Sequence, residues 1–299
     1  MSARRAGTAV IGSRLVSAAS KPGTRRKGGR TQAQAADPYA LYQQAVQSPE
    51  VDVRLFRRFY KERFPGSEPL VMREDFCAAA SMACAWVKSS FPRVAHGVDL
   101  DPEPLEWGRQ HNLVELKPSH RERVHLHQGD VRTLRTPPAD VVNALNFSYC
   151  VFKQRWELRD YFRAAYANLK REGIFVIDLL GGYEVIQSRS DPPARHGSFS
   201  YIWEQHSFDP ITHDGTYFIH FKFRDGSRMD RAFRYDWRLW TLPEVREVMR
   251  EVGFATADVY WEGADQKGEG NGVWRRREHA EPEAAWTAYI VGTKRPSLR

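Results

Sequence analysis

From residue 70 onward, short apolar runs alternate with longer stretches whose apolar positions recur at helical spacing. Runs at 70–72, 94–99, 124–129, 141–145 and 174–179 predict five strands. Helices are expected near 80–90, from about 101, and from about 154, the last with Leu158, Phe162, Ala165 and Leu169 on one face. Asp101-Pro102 reads as an N-cap followed by proline in the first turn, and Gly173 as a stop. Repeated strand–helix units of this kind imply a doubly wound α/β fold, a mostly parallel sheet covered on both faces. Two helices, 37–47 and 51–64, precede it; Val53, Phe56 and Tyr60 form a stripe on the second, which Pro65-Gly66 ends.

After the fifth strand the period changes. Residues 198–207, 216–223 and 229–238 alternate in strand fashion, separated by Asp209-Pro210, Asp214-Gly215 and Asp225-Gly226, so a three-stranded antiparallel insertion is expected over about 195–240. A helix over 242–252 follows, with Thr241 and Glu244 as a capping box and Gly253 at its end. Strands at 257–261 and 286–292, joined by a long polar loop, complete the chain.

Charge changes this picture in one place. The net charge is +8, but residues 1–36 hold Arg4, Arg5, Arg14, Lys21, Arg25, Arg26, Lys27 and Arg30 and no acid. The other 37 basic residues balance 37 acidic ones, so a neutral body carries a basic arm. The arm's composition predicts a disordered tail, with a transit segment or an anionic-partner arm as alternatives. No run reaches the roughly 20 apolar residues of a membrane-spanning helix. Cys77, Cys84 and Cys150 form no CxxC pair, which points to a reducing, cytoplasmic setting without disulfides or structural zinc. His125 and His127 share a strand face but show no third ligand, so no metal is expected; Arg275-Arg276-Arg277, with Glu278, Glu281 and Glu283 nearby, reads as a solvated loop.

In an open α/β sheet, ligands bind beyond the carboxyl ends of the strands. The first strand here runs into Glu74-Asp75-Phe76-Cys77-Ala78-Ala79-Ala80, the second ends at Asp99, the third at Asp130, and the fourth leads into Asn146-Phe147-Ser148-Tyr149. This pattern resembles the class I S-adenosylmethionine-dependent methyltransferases. Their first motif, an acid followed by glycines at alternate positions, is matched as Glu74-x-Phe76-x-Ala78-x-Ala80, with the spacing kept and every glycine replaced. Glycine serves such turns by permitting positive φ, so the turn is expected to differ locally.

The resemblance implies a seven-stranded sheet with an antiparallel last strand, and S-adenosylmethionine as cofactor. It places Asp99 at the ribose hydroxyls with Leu100 beside it, and Asp130 and the Val131 backbone at the adenine. Glu74, with Cys77 and Ala78 in the turn, falls at the cationic methionine end. It also makes residues 37–68, with Tyr39 and Tyr42, a lid over a catalytic domain spanning 69–299. Asn146 and Tyr149 would face the transferable methyl as candidate catalytic residues, and Asn146 would border the cofactor as well.

The insertion's position is similar to that in small-molecule N-methyltransferases. Trp203, Tyr217, Phe221, Tyr235, Trp237 and Trp240 offer aromatic walls for an acceptor, although aromatic residues in strands ordinarily serve sheet packing. The reading is therefore methyl transfer to a small molecule, an amine foremost. A non-catalytic scaffold, and an enzyme acting on RNA through the basic arm or on protein, stand as alternatives. A nicotinamide-dependent dehydrogenase is disfavoured, because GxGxxG is absent after the first strand.

Overall fold

A computed structural model describes residues 29–264 and 270–294. The chain opens with a single turn, α1 (Gln32–Ala35), then α2 (Pro38–Val46) and α3 (Pro49–Arg63). Asp37 caps α2, accepting from the amides of Tyr39 at 2.9 Å and Ala40 at 3.2 Å, with Pro38 in the first turn. The stripe Val53, Phe56, Phe59 and Tyr60 buries α3. Next come β1 (Val71–Asp75), α4 (Ser81–Ser89), β2 (Val94–Asp99), α5 (Pro102–Gly108), α6 (Pro118–Arg121), β3 (Val124–Gln128) and β4 (Ala139–Ala144). They are followed by α7 (Arg155–Asn168) and β5 (Leu169–Gly181).

The insertion holds β6 (Arg189–Ser190), β7 (Ala194–His196), β8 (Phe199–Phe208), β9 (Asp214–Phe223) and β10 (Arg228–Arg238). Last are α8 (Leu242–Val252), β11 (Thr256–Ala264), β12 (Gly270–Arg277) and β13 (Trp286–Thr293). Thr241 and Glu244 cap α8 reciprocally, and Gly253 closes it at φ 110°.

The main sheet runs β12-β11-β13-β5-β4-β1-β2-β3, and strand order reverses between β1 and β4. β1 pairs in parallel with β2 and β4, while β13 lies antiparallel between β5 and β11. Three expectations are corrected. Among the described residues the main sheet holds eight strands where seven were expected, because part of the expected polar loop, with Arg275, Arg276 and Arg277, is strand β12 at the edge. Among the described residues the insertion sheet holds five strands where three were expected, with β6 and β7 both pairing β8. In the segment 1–36, expected to be a disordered tail, residues 31–36 are ordered. Thr31 caps α1, and the Gln32 amide donates to Asp225 Oδ2 at 2.9 Å. The rest of that tail, residues 1–28, lies outside the described residues. No described helix is long and apolar enough to cross a membrane.

Candidate functional site

The β1–α4 turn keeps a glycine-like backbone without glycine. Phe76, Ala78 and Ala80 lie at φ 58°, 44° and 60°. The expectation that the turn would differ locally is thereby corrected: the backbone is retained, and side chains occupy it. A left-handed L-residue costs roughly 1–2 kcal/mol, so other contacts must hold the turn. The Cys77 amide donates to the Val98 carbonyl at 3.0 Å and the Ala80 amide to the Cys77 carbonyl at 2.7 Å. The Ala78 amide donates to Asp99 Oδ2 at 2.7 Å, and Asn112 Nδ2 to the Ala79 carbonyl at 2.8 Å. Gly108 lets α5 approach from the far side, since a Cβ there would lie 2.5 Å from the Ala79 carbonyl oxygen.

Asp99 ends β2, buried, and its Oδ1 accepts the Asp101 amide at 3.0 Å. Burial pushes its carboxyl up to about 6. Leu100 beside it is 68% exposed, an apolar face open at the sheet's mouth. Asp101 caps α5 through the Glu103 amide at 2.9 Å. Asp130 is only half-buried. Its carboxylate is gripped by Arg132, with Nε at 3.0 and 3.1 Å from the two oxygens and Nη2 at 2.7 Å, and this holds it below the usual carboxylate range.

The Val131 carbonyl accepts from Arg73 Nη2 at 3.2 Å. Arg73 is fully buried; it also reaches the Leu134 carbonyl at 2.9 Å and Asp75 at 2.7 Å, which clamps the turn carrying Asp130 and Val131 onto β1.

The switch point between β1 and β4 holds a small cavity of about 20 Å³, bounded by Glu74 and Asp75 of β1, Asn143 and Asn146 of the β4 end, and Gln47, Pro49 and Asp52 from the helices above. That is room for about one water-sized group. Burial raises Glu74 to about 8 and Asp52 to about 6. Glu74 Oε2 accepts the Ala83 amide at 3.0 Å, satisfying the start of α4, and Tyr289 donates to Asp52 Oδ1 at 2.7 Å. Asn146 Oδ1 is buried with no partner among the described residues. Asn146 and Phe147 both have positive φ, 64° and 61°, and donate their amides to Asp178 at 2.6 and 2.8 Å. Burial raises Asp178 to about 7.

The sequence expectations sort accordingly. Glu74, Asp99, Asp130, Val131 and Asn146 gather at the carboxyl ends of adjacent strands, with Cys77 and Ala78 buried in the turn between them. Tyr149 is corrected. It is fully buried and its hydroxyl donates to the Asp178 carbonyl at 2.9 Å, so it supports Asp178 rather than facing an acceptor. Tyr39 and Tyr42 are buried in α2 between Trp107 and Phe233, with ring centroids 5.6 Å apart for Tyr39–Trp107 and 5.1 Å for Tyr42–Phe233. Helix α2 thus bridges the main domain to the insertion.

Asp52, Asn143, Arg73 and Asp178 were missed. An acid on the apolar face of a helix (Asp52) and an acid inside the apolar fifth strand (Asp178) were the available signals. His125 and His127 do gain a third histidine, because β2 sets His96 beside them, Nδ1 at 3.2 Å from His127 Nε2. The rings stack instead of converging, and the described residues contain no group of His, Cys, Asp or Glu arranged for a metal.

On the insertion's inner face, Trp237 meets Tyr235 at 4.6 Å, Tyr217 at 5.4 Å and Trp203 at 6.1 Å between ring centroids, and reaches Phe147 at 6.1 Å. The aromatic cluster therefore abuts the Asn146–Phe147 corner. Tyr217 Oη is buried there without a partner among the described residues. Phe221 packs on Phe199 at 5.6 Å, and Trp240 is a packing residue, its Nε1 donating to the Phe152 carbonyl at 3.1 Å.

No protein-family model and no curated protein matches the sequence. Solved structures do match the fold. An amino pentose methyltransferase from Micromonospora echinaspora, involved in calicheamicin biosynthesis, aligns at TM-score 0.62 and 16% identity over 91% of this chain and 100% of its own. The DesVI protein of Streptomyces venezuelae aligns at 0.62 and 17% over 86% and 97%. An S-adenosylmethionine-dependent methyltransferase from Clostridium acetobutylicum aligns at 0.59 and 15% over 85% and 96%. The fold of this chain is therefore the class I methyltransferase fold.

Proposed function

We propose that the protein transfers a methyl group from S-adenosylmethionine to a small-molecule acceptor, an amine foremost. The observation that carries this is the set Glu74, Asp99 and Asp130 at the ends of three neighbouring strands, with Glu74 and Asn146, whose Oδ1 has no partner among the described residues, both lining the acidic cavity at the switch point. These residues fit the cofactor by donor chemistry. Asp99 would accept the ribose hydroxyls, and Asp130 and the Val131 amide would meet the adenine edge, with Leu100 under the ring. Glu74, with Asp52 nearby, would face the ammonium and sulfonium end, where burial would be relieved by a cation.

When bound, the cofactor supplies an electrophilic methyl on sulfur; the chain supplies position and dryness. Asn146 Oδ1 would accept an N–H of the acceptor and hold its lone pair in line. Trp203, Tyr217, Tyr235 and Trp237 would exclude water and wall the acceptor, and Tyr217 Oη offers it one polar contact. No base is required for a neutral amine; the proton lost afterwards passes to solvent. The similarity in fold to an amino pentose methyltransferase supports an amine as the first acceptor class to screen.

One observation favours a second reading, a scaffold without cofactor: the Ala78 amide already occupies Asp99 Oδ2. Calorimetric titration with S-adenosylmethionine and S-adenosylhomocysteine, alongside Asp99→Ala, separates the two. Micromolar binding that the variant loses is the expected result. A folded protein that takes up neither ligand refutes the enzyme reading and leaves the scaffold.

A further inference from the structure

From Ile174 to Leu180 β5 is apolar with one exception, Asp178. Its side chain is buried, and a buried carboxylate costs stability unless its oxygens are hydrogen-bonded. Both are, and to a single feature. Oδ2 accepts the Asn146 amide and Oδ1 the Phe147 amide, at 2.6 and 2.8 Å, and the Asp178 carbonyl accepts the Tyr149 hydroxyl at 2.9 Å. Asp178 thus spends three acceptors on the corner that leads out of β4.

That corner needs holding. Asparagine tolerates a left-handed backbone, but Phe147 is a bulky residue at φ 61°, a conformation such side chains rarely adopt. The corner's own bonds are short-range: Ser148 Oγ donates to the Leu145 carbonyl at 2.7 Å, and the Cys150 amide to the Phe147 carbonyl at 2.9 Å. Neither engages the amides of Asn146 and Phe147, which Asp178 alone secures among the described residues.

The backbone of this pair decides what its side chains meet. Asn146 lines the switch-point cavity, its Oδ1 buried and without a partner among the described residues. Phe147 packs its ring edge-on against Trp237 of the insertion, 6.1 Å between centroids. One carboxylate therefore sets the cavity side and the aromatic side of the corner together.

We propose that Asp178 is a positioning residue for methyl transfer: by anchoring both amides of the Asn146–Phe147 pair, it aims Asn146 Oδ1 at the transferable methyl and seats Phe147 against the aromatic wall. The inference rests on the cofactor reading above. Asp178 acts through the corner, since both its carboxylate oxygens are engaged there. An amide of the same shape cannot replace it. In Asp178→Asn one oxygen becomes an NH2 donor facing a backbone N–H, so one buried amide loses its acceptor and the corner shifts.

The test needs no methyl acceptor. S-adenosylhomocysteine lacks the transferred group, whereas sinefungin carries an amine-bearing carbon in place of the methylated sulfur, so its N–H groups stand where the methyl would. Calorimetry of the full chain with both ligands runs at pH 8, above the value of about 7 to which burial raises Asp178. The ratio of the two affinities cancels contacts that the ligands share. In the parent, sinefungin should bind about 10-fold or more tightly, the scale of one hydrogen bond to a charged group. Asn146→Gly should remove that preference. Asp178→Asn should lower it towards unity, leave S-adenosylhomocysteine affinity unchanged, and add nothing in the Asn146→Gly background. A residue that merely stabilised the fold would weaken both ligands alike and independently of Asn146.

Far-UV dichroism and the urea midpoint show which variants are folded. Should Asp178→Asn not fold, Tyr149→Phe, which drops the bond to the Asp178 carbonyl and keeps the ring, should lower the preference in the same sense. A parent that binds neither ligand defeats the methyl-transfer reading and this inference with it. Binding of S-adenosylhomocysteine with no sinefungin preference overturns the role of Asp178 alone and leaves the cofactor site standing. So does a preference that survives Asn146→Gly, that persists in the folded Asp178 or Tyr149 variant, or that falls additively in the double variant.

Discussion

Replacing Ala80 by glycine should leave stability nearly unchanged, although Ala80 is fully buried and heads α4. At φ 60°, the alanine carries left-handed strain of about 1–2 kcal/mol that glycine would release. Against this, glycine widens the unfolded ensemble by about 0.4–1 kcal/mol. It also forfeits the burial of one methyl, worth about 0.8 kcal/mol. The opposing contributions meet near 1.5 kcal/mol, so the net change is about zero. Ala83, equally buried two residues inside α4, is the control. There glycine loses about 1 kcal/mol of helix propensity and the same methyl, about 2 kcal/mol in all, with no strain to release. Urea midpoints of Ala80→Gly and Ala83→Gly, compared at matched slopes, read the difference directly. Ala80→Val should cost more than either, because a β-branched residue tolerates positive φ poorly. If Ala80→Gly proves as costly as Ala83→Gly, the turn is not strained, and its alanines need no supporting contacts.

Arg73→Met should destabilise by about 3–5 kcal/mol in chemical denaturation, since it strips a buried partner from Asp75 and two carbonyls; a loss below 1 kcal/mol would show the clamp to be dispensable. Asn146→Gly keeps the positive-φ backbone while deleting the unpaired Oδ1, so the urea midpoint should shift little while kcat falls by about 10–100-fold, the size of one strong hydrogen bond in a dry site. His96, lowered to about 4 by burial and then by His125 and His127, binds its proton more weakly folded than unfolded. The contribution of neutral His96 to stability should therefore be lost as pH drops from about 6.5 to 4, and a urea titration of His96→Asn against the parent should lack that loss.

The alternating strand–helix units, the insertion and the α8 caps were legible because each rests on local pattern: period, turn dipeptides, capping boxes. β12 was not. Its residues Gly270–Arg277 are mostly polar and, apart from half-buried Trp274, exposed, so an edge strand on solvent carries no alternation to read. The turn at 76–80 defied composition for a different reason. Its backbone is fixed by distant partners, the Val98 carbonyl, Asp99, Asn112 and the close approach of Gly108, and none of these is adjacent in sequence. Tyr149 was misjudged because the direction of a side chain after a strand depends on the corner it leaves by. The left-handed pair Asn146–Phe147 turns Tyr149 inward onto Asp178. Strand-end acids can be read from sequence, whereas the pairing that decides which of them stays available cannot. Arg132 engages both oxygens of Asp130 from two residues away, while among the described residues the carboxyl of Glu74 meets only the Ala83 amide.

The acids at the switch point also make folding and ligand binding answer to the same protons. Glu74 and Asp178 are raised by burial to about 8 and about 7, against ordinary values of 4.5 and 3.8. The folded chain thus holds protons that the unfolded chain gives up between those limits. A group with a raised folded pKa stabilises below its unfolded value and loses that contribution as pH rises through the folded one. The contribution of these two carboxyls to the stability of the free protein should therefore decline from about pH 4 to about pH 8, and Glu74→Gln should remove part of the decline. A cationic ligand beside Glu74 reverses the preference, favouring the carboxylate and expelling the proton. Affinity for S-adenosylmethionine should rise over the window in which the free protein weakens. Calorimetry in two buffers of different ionisation enthalpy should register proton release near pH 7, absent in Glu74→Gln. Were affinity flat across that window while stability still declined, the cavity's carboxyls would be a cost of the fold alone, and the cation would have to sit elsewhere.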